Sequence, residues 1–433
     1  MKLGMISLGC AKNLIDTELF LGVANKYNLE ITNNIKQADI IVVNTCGFIE
    51  SAKKEAIDTI LDVTENKKNK VVIVMGCLVE RYFDSLKESI PEVDIYFPIR
   101  DYDNIDQLFN KILNKDEKHK MEYTSRVITT LPHSAYIRIA EGCDNLCNYC
   151  AIPLIRGKFR SRPFNSLIEE AKNLVSRGVK EITLIAQDTT RYGTDLKEHK
   201  RLEDLLHEIS KIEEVEMVRV LYLYPDEIKD SLIQEIANNP KVAPYFDIPI
   251  QHISNNMLQA MNRRGDKDFV QSLINKIKTM CPKAIIRTTL IVGFPGETNE
   301  DFKELYDFVK EAKFDKLGVF TYSDEEDTKG YDMYPKVDQK IMDERLDKIM
   351  SLQNKVSLAN NEKHIGKVFD AIIDKYDYSK NVYLARSYHF APDDVDGYIY
   401  VASLRKETIN PGDIVKIEVT NVNSYDLIGK FVN

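Results

Sequence analysis

The chain has 433 residues, which at roughly 150 residues per domain suggests about three domains. Hydrophobic residues make up 43% and charged residues 29%, the composition of a chain that buries a core and not of a disordered one. With 59 Lys and Arg against 68 Asp and Glu, a formal charge of -9 excludes a molecule-wide cationic field for a phosphate backbone, so a nucleic-acid partner would need a local basic patch.

Three similar runs open the chain, at residues 3–10 (LGMISLGC), 39–46 (DIIVVNTC) and 70–77 (KVVIVMGC). Each is apolar, mostly β-branched, and stops at Cys. Helical periodicity lies between them, for instance over 16–26 and 49–65, so residues 1–113 read as an open α/β domain with a buried parallel sheet. The apolar run over residues 5–8 is short and is soon followed by Lys12 and Asn13, unlike a secretory leader. No apolar run approaches the roughly 18 residues of a membrane span, so a cytoplasmic chain with no membrane partner is expected. Residues 114–132 are polar, end at Pro132 and read as a linker.

From residue 133 the alternation resumes, with strands predicted at 136–140, 181–186, 217–222, 245–250, 284–292 and 316–322. Helices between them include 167–177, behind a Ser166 cap and ahead of Gly178, and 301–312 after Thr298 and Asn299. Six βα units suggest a partial (β/α)6 barrel over 133–365, closed by a long amphipathic helix at 339–363, with its chemistry at the carboxyl ends of the strands. Residues 366–433 change to short alternating strands punctuated by Pro392, Gly397, Pro411 and Gly412, which suggests a small antiparallel β-barrel. The Lys67, Lys68, Lys70 group and the acidic group at 324–327 read as solvated faces or loops.

Seven cysteines are too few for a disulfide scaffold in a chain without a leader and are expected to stay reduced. Cys143, Cys147 and Cys150 form a CxxxCxxC loop directly after the first barrel strand. Three thiolates on one loop can hold three irons of a four-iron cluster and leave the fourth open, whereas structural zinc takes four protein ligands. A zinc site completed from elsewhere, or plain reduced cysteines, are the alternatives. Cys10, Cys46 and Cys77 each end a strand of one parallel sheet, so their thiols should gather at its carboxyl edge. They fit a second three-thiolate site or buried structural cysteines. Cys281, beside Pro282, fits neither set.

The CxxxCxxC loop, with Tyr149 before its last Cys, resembles the cluster motif of the radical S-adenosylmethionine (SAM) superfamily, and a six-unit partial barrel is what that superfamily uses. The resemblance implies a 4Fe-4S cluster whose open iron takes SAM and, once reduced, yields a 5'-deoxyadenosyl radical. A SAM pocket should then draw on later strand ends: Gln187 and Asp188, Pro249 and Gln251, and the run Gly293, Phe294, Pro295, Gly296, Glu297. His252 is a further lining candidate. Taken by itself, the last run reads as a Gly/Pro turn opening a helix.

Ser7-Leu8-Gly9-Cys10, Asn44-Thr45-Cys46 and Gly76-Cys77, ahead of that loop and of a terminal barrel, resemble the methylthiotransferases over essentially the whole chain. The terminal barrel corresponds to their TRAM-like domain. Ala11 stands where many relatives carry Pro. The resemblance implies a second 4Fe-4S cluster on Cys10, Cys46 and Cys77 that carries sulfur, is methylated by another SAM and passes methylthio to a substrate radical. Of the two branches, one modifies tRNA adenosine and the other an aspartate β-carbon in a decoding-centre protein of the small ribosomal subunit. The strings NTCGFI (44–49), IRIAEGCDN (137–145), IAQDTTRYG (185–193) and SYDLIG (424–429) resemble the second. The terminal segment carries eight basic against ten acidic residues, Asp393, Asp394 and Asp396 among them, which suits a basic protein better than tRNA. The expected partners are therefore a basic ribosomal protein as substrate, an electron donor and a sulfur source, without direct nucleic-acid readout. The rival readings are the tRNA enzyme and, more remotely, a non-catalytic protein stapled by zinc.

Overall fold

In the computed structural model, which describes residues 1–392, 395–402 and 409–432, the three Cys-ending runs become β1 (Lys2–Ser7), β3 (Ile40–Thr45) and β4 (Val71–Gly76). With β2 (Glu30–Thr32) and β5 (Ile95–Phe97) they make a wholly parallel sheet in the order β2-β1-β3-β4-β5. Every residue of β3 is buried, because the sheet is covered on both faces. Ile40, Val42, Ile73 and Met75 pack with Phe20 of α1 (Ala11–Lys26) and Phe109 of α4 (Ile105–Leu113). Ile41, Val43, Val72 and Val74 pack with Ile60 of α2 (Glu50–Glu65) and Leu78 of α3 (Cys77–Ser89). Strand order reverses between β1 and β3, and doubly wound sheets bind ligands at the carboxyl ends of the strands flanking such a reversal.

The helix α1 begins at Ala11, well before the predicted residue 16. Its first turns hold Lys12, Asn13, Asp16, Thr17 and Glu18, all buried, so apolar periodicity carries no signal there. The predicted linker is pinned down for much of its length. Arg126 is fully buried and donates to the Glu18 carboxylate and to the Tyr136 carbonyl, and Thr129 N–H donates to Glu18 Oε1 at 2.7 Å. Met1–Thr129, Tyr136–Arg162 and Ser323–Tyr331 together form one compact unit.

The second unit comprises Thr130–Ala135, Pro163–Tyr322 and Asp332–Asn433. The predicted barrel strands are present as β6 (Ser134–Arg138), whose last three residues belong to the first unit, and as β9 (Glu181–Ile185), β10 (Met217–Val220), β11 (Tyr245–Asp247), β12 (Ile285–Val292) and β13 (Lys316–Thr321) of the second. β9 pairs in parallel with β10, and β11, β12 and β13 form a parallel ladder. The two ladders are bridged by Leu223 N–H donating to Asp247 O at 2.8 Å. Intervening helices include α6 (Phe164–Ser176), α10 (Lys267–Met280) and α11 (Asn299–Ala312), followed by α12 (Gln339–Glu362). Ser166 lies inside α6, not at its cap: Pro163 takes that place, its ring fixing the entry of the chain. Thr298 caps α11 in a reciprocal box with Asp301.

The terminal segment closes into a five-stranded barrel of β14 (Val368–Asp377), β15 (Val382–Arg386), β16 (Ile399–Ala402), β18 (Leu427–Val432) and β17 (Ile414–Val422). It departs from the antiparallel expectation at one pairing, β16 with β18, which is parallel. Ile373, Phe390, Val401 and Ile417 fill it. Its charges are not all at the surface. Asp396, expected in an acidic docking loop, is buried: its carboxylate accepts from Tyr245 Oη at 2.5 Å and from Ala391 N–H at 2.9 Å. Asp393 and Asp394 lie outside the described residues.

A buried ion group ties this barrel to β9 within the second unit. Arg386 donates to Glu181 Oε2 at 2.6 Å and to Asp374 Oδ2 at 2.5 Å, and His133 Nε2 lies 2.8 Å from Asp374 Oδ1. Burial raises the pKa of Glu181 and of Asp374. Arg386 outweighs it at Glu181, and His133 with Arg386 at Asp374, so both carboxyls are held below the ordinary range. Their contribution to stability is present above the usual carboxylate pKa and is lost as pH falls through the lowered folded values. Arg386→Met should therefore cost about 3 kcal/mol, because the two buried carboxylates lose their shared cation and keep only Arg219, 3.6 Å from Glu181, and His133 on Asp374. Urea unfolding should report the loss, and the acid-unfolding midpoint should move to higher pH.

Candidate functional site

Each of the first three cysteines sits where a strand gives way to its following segment. Cys10 is the N-cap of α1, Cys46 follows β3 directly, and Cys77 is the first residue of α3. Helix N-termini favour anions such as a thiolate. Two glycines let these segments meet. Gly9 has φ +89°, and a Cβ there would stand 2.8 Å from Cys46 Cβ and 3.3 Å from its Sγ; a Cβ on Gly47 would stand 2.8 Å from the Leu78 backbone. Only a residue without a side chain permits either approach.

The three thiols interact with one another electrostatically. Burial raises the pKa of Cys46, and raises that of Cys77 to about 12, with Arg156 acting in the opposite sense on both. At Cys10, which reaches solvent, the surrounding protein also acts to raise the pKa, but Lys12, the Asn13 N–H and Arg156 outweigh it and lower the value. The set thus joins one thiol biased toward the anion with two that lose their protons when a metal takes them.

The second loop is an excursion of the chain closed at its base by β7 (Ala140–Glu141) and β8 (Arg160–Ser161), which pair antiparallel. Cys143 N–H donates to Gly157 O, Cys150 N–H to Cys147 O, and Phe159 N–H to Asp144 Oδ1. Cys143, Cys147, Tyr149 and Cys150 are all partly exposed, as a site that exchanges a ligand requires. A short helix, α5 (Ile152–Arg156), follows. Cys77 packs against Ala151 and Ile155, so the loop after Cys150 lies directly against the first set.

Beneath both sets runs a buried polar network whose members sequence reasoning missed. Asp16 holds Arg138 at 2.6 Å through Oδ1 and Arg156 at 2.8 Å through Oδ2. Glu141 meets the same two arginines at 3.0 and 3.5 Å. Arg156 Nη2 also donates to Asn13 Oδ1 at 2.8 Å and to Cys77 Sγ at 3.2 Å. Asn13 in turn donates to the Thr45 carbonyl at 2.9 Å, next to Cys46. Burial acts against the charges, but Asp16 keeps both arginines protonated and is itself held below the usual carboxylate range. The available signal was a run of polar residues on successive turns of a helix that must cover a fully buried sheet.

A second omission is the segment Ser323–Tyr331. Its Glu325, expected in a solvated acidic group, is almost fully buried and meets Arg81 at 2.6 Å and Lys53 at 3.1 Å. Arg81 donates as well to Gly47 O at 3.1 Å, beside Cys46, and Gly330 N–H donates to Asn148 O at 2.7 Å, inside the CxxxCxxC loop. One segment therefore straps both cysteine loops.

Of the residues predicted for SAM, Tyr149 lies in the CxxxCxxC loop of the first unit and the others at strand ends of the second. Gln187 and Asp188 follow β9, and Asp188 is buried with its carboxylate on the Thr190 N–H at 3.1 Å. Pro249 and Gln251 follow β11; the Gln251 backbone bridges to β12, its N–H donating to Thr289 O at 2.9 Å and its carbonyl accepting from Ile291 N–H at 2.8 Å. Gly293 and Pro295 form the turn after β12. Glu297 folds back under that turn, accepting from Gly293 N–H and pairing with Arg345 at 3.2 Å. His252 Nε2 stands 3.6 Å from Glu297 Oε1, and both side chains are fully buried.

The donor chemistry fits two iron-sulfur clusters. Among the described residues no three His, Cys, Asp or Glu side chains close around a single ion. In a cluster each thiolate binds its own iron, so three thiols need not meet at one point to serve one centre.

These features define the class, and comparison with known proteins gives the family. Residues 2–98 match the uncharacterized protein family UPF0004, 137–309 the Radical SAM superfamily and 365–432 the TRAM domain. Radical SAM methyltransferase TsrM from Kitasatospora setae shares the fold, with TM-score 0.56 at 11% identity over 73% of this chain and 72% of that one. Ribosomal protein uS12 methylthiotransferase RimO of Clostridium botulinum is 49% identical, covering 99% of this chain and 97% of the relative. RimO of Clostridium perfringens is 48% identical over 100% and 98%, and that of Acetivibrio thermocellus 44% identical over 100% and 98%. The chain belongs to the RimO family of radical SAM methylthiotransferases.

Loss of the strap's anchor should loosen the segment without unfolding the sheet. In Glu325→Ala, amide hydrogen exchange should quicken by at least tenfold over 323–331 and over the 143–150 loop, while β3 and β4 keep wild-type protection.

Proposed function

We propose that this chain installs a methylthio group on the β-carbon of an aspartate in ribosomal protein uS12. The observation that carries the reading is the relationship to uS12 methylthiotransferases along the full length of both chains. The cofactors are two 4Fe-4S clusters and SAM. Cys143, Cys147 and Cys150 hold the cluster that binds SAM, and Cys10, Cys46 and Cys77 hold the other. When bound, these groups supply a 5'-deoxyadenosyl radical and a methylthio group.

The protein's own part is binding, orientation and exclusion of water. A β-carbon hydrogen is too weakly acidic for any side-chain base, so a radical must act on it in a closed site. Tyr149, Gln187, Asp188, Pro249, Gln251, Gly293, Pro295 and Glu297 line or shape the SAM pocket. Glu297 fixes the turn through Oε2, which is held by Gly293 N–H and Arg345, while its buried Oε1 has no hydrogen-bond partner among the described residues. The working parts are residues 1–113 for the sulfur-carrying cluster, 114–132 as the connecting segment, 133–365 for radical generation and 366–433 for docking the substrate. An electron donor and a sulfur source complete the set of partners. Among the described residues no helix is long and apolar enough to cross a membrane, which suits work on ribosomal protein in the cytoplasm.

Mass spectrometry of ribosomal proteins and tRNA nucleosides from cells with and without the gene tests the substrate. A methylthio adduct on uS12 that vanishes with the gene is expected, and loss of a methylthioadenosine from tRNA with uS12 unchanged would overturn the assignment. The division of labour gives a second test. Cys147→Ala should abolish 5'-deoxyadenosine formation. The triple Cys10, Cys46, Cys77→Ala chain should still form 5'-deoxyadenosine and yield no methylthio product, as chromatography of the reaction mixture will report.

A further inference from the structure

Arg156 is a buried cation that touches the first cysteine set from the segment after the second. It closes α5, the helix that follows the CxxxCxxC loop, yet its Nη2 reaches back to the first set and donates to Cys77 Sγ at 3.2 Å. The same nitrogen meets Asp16 Oδ2 and Asn13 Oδ1, each at 2.8 Å. Nη1 lies 3.5 Å from Glu141 Oε2. Asp16, Glu141 and Asn13 anchor the guanidinium in place, and from that anchored position Nη2 also reaches the sulfur. Arg138 shares both carboxylates, so the group is charge-balanced and Arg156 is the member whose cation faces the Cys77 sulfur.

We propose that Arg156 is a positioning residue for the N-terminal cluster: its hydrogen bond to the Cys77 sulfur and its fixed charge raise that cluster's reduction potential. The inference rests on the reading that Cys10, Cys46 and Cys77 hold a cluster. Hydrogen bonds to cluster sulfurs and nearby positive charge stabilise the more negative, reduced state. Arg156 is carried by the segment after Cys150, so the loop of one cluster sets the electronics of the other. The guanidinium also draws electron density from the Cys77 sulfur and leaves that ligand a poorer nucleophile.

The test uses the full chain with Cys143, Cys147 and Cys150 changed to Ala, so that only the N-terminal cluster remains, and reads its midpoint potential by EPR-monitored titration. Adding Arg156→Gln should lower the equilibrium constant for reduction at least tenfold, about 59 mV for one electron. Arg156→Lys, which keeps the charge but not the planar fork, should fall between. In the Arg156-containing chain grown with 15N-guanidino arginine, pulsed EPR of the reduced cluster should detect a weakly coupled 15N that Arg156→Lys removes. An unchanged potential in an iron-replete Arg156→Gln chain, or no 15N coupling, overturns the proposal. If Arg156→Gln fails to fold, the 15N signal alone decides. A parent that binds no iron instead refutes the cluster assignment itself, a separate result.

Discussion

The Asp16 carboxylate, with Arg138 on one oxygen and Arg156 on the other, is the interaction on which the cysteine-bearing unit depends. A carboxylate this deep is tolerable only when paired and hydrogen-bonded. Each of its partners comes from the chain around the second cysteine loop: Arg138 from β6 before it, Arg156 from α5 after it. One residue on the first helix of the α/β sheet therefore grips both ends of the loop that carries Cys143, Cys147 and Cys150. Removing Asp16 would leave two buried guanidinium groups sharing Glu141 alone.

Topology and electrostatics then converge on the same edge. Strand order reverses between β1 and β3, and Cys10 and Cys46 follow the carboxyl ends of those two strands, with Cys77 directly after the end of β4. Close-approach glycines bring the segments together from above, Asn13 and Arg156 fix them from below, and the Ser323–Tyr331 strap ties Gly47 to Asn148 across them. Cys10 and Cys77 are thereby held at helix N-termini and Cys46 directly after β3, while the loop of Cys143, Cys147 and Cys150 is braced at its base by β7 and β8, which suits a site where an error of an ångström in placement is costly.

Much of this was legible in the sequence because parallel strands buried on both faces leave an unmistakable β-branched run, and each run ended in Cys. The barrel strands were equally clear, and Thr298 announced its helix. What stayed hidden was polar and buried. Asp16, Arg138, Arg156, Arg81 and Glu325 have the side chains of surface residues, and no local pattern says that partners distant in sequence will neutralise them. The same blindness inflated the acidic face of the terminal barrel: Asp374 and Asp396 are spent on His133, Arg386, Tyr245 and the Ala391 backbone, so a count of charges was not a map of the surface. Helix starts were misplaced for a related reason, since a buried polar first turn in α1 and a Pro entry in α6 both lack apolar periodicity.

Two separate thiolate sets on one compact unit should each hold their own cluster. Iron and acid-labile sulfide analysis with Mössbauer spectroscopy, on anaerobically reconstituted chain and on a triple Ala variant of each set, tests it most directly. Two independent four-iron sites predict about eight irons per wild-type chain and about four in either variant, with 4Fe-4S spectra throughout. Loss of all iron from either variant, or zinc in place of iron in the wild type, would contradict the account.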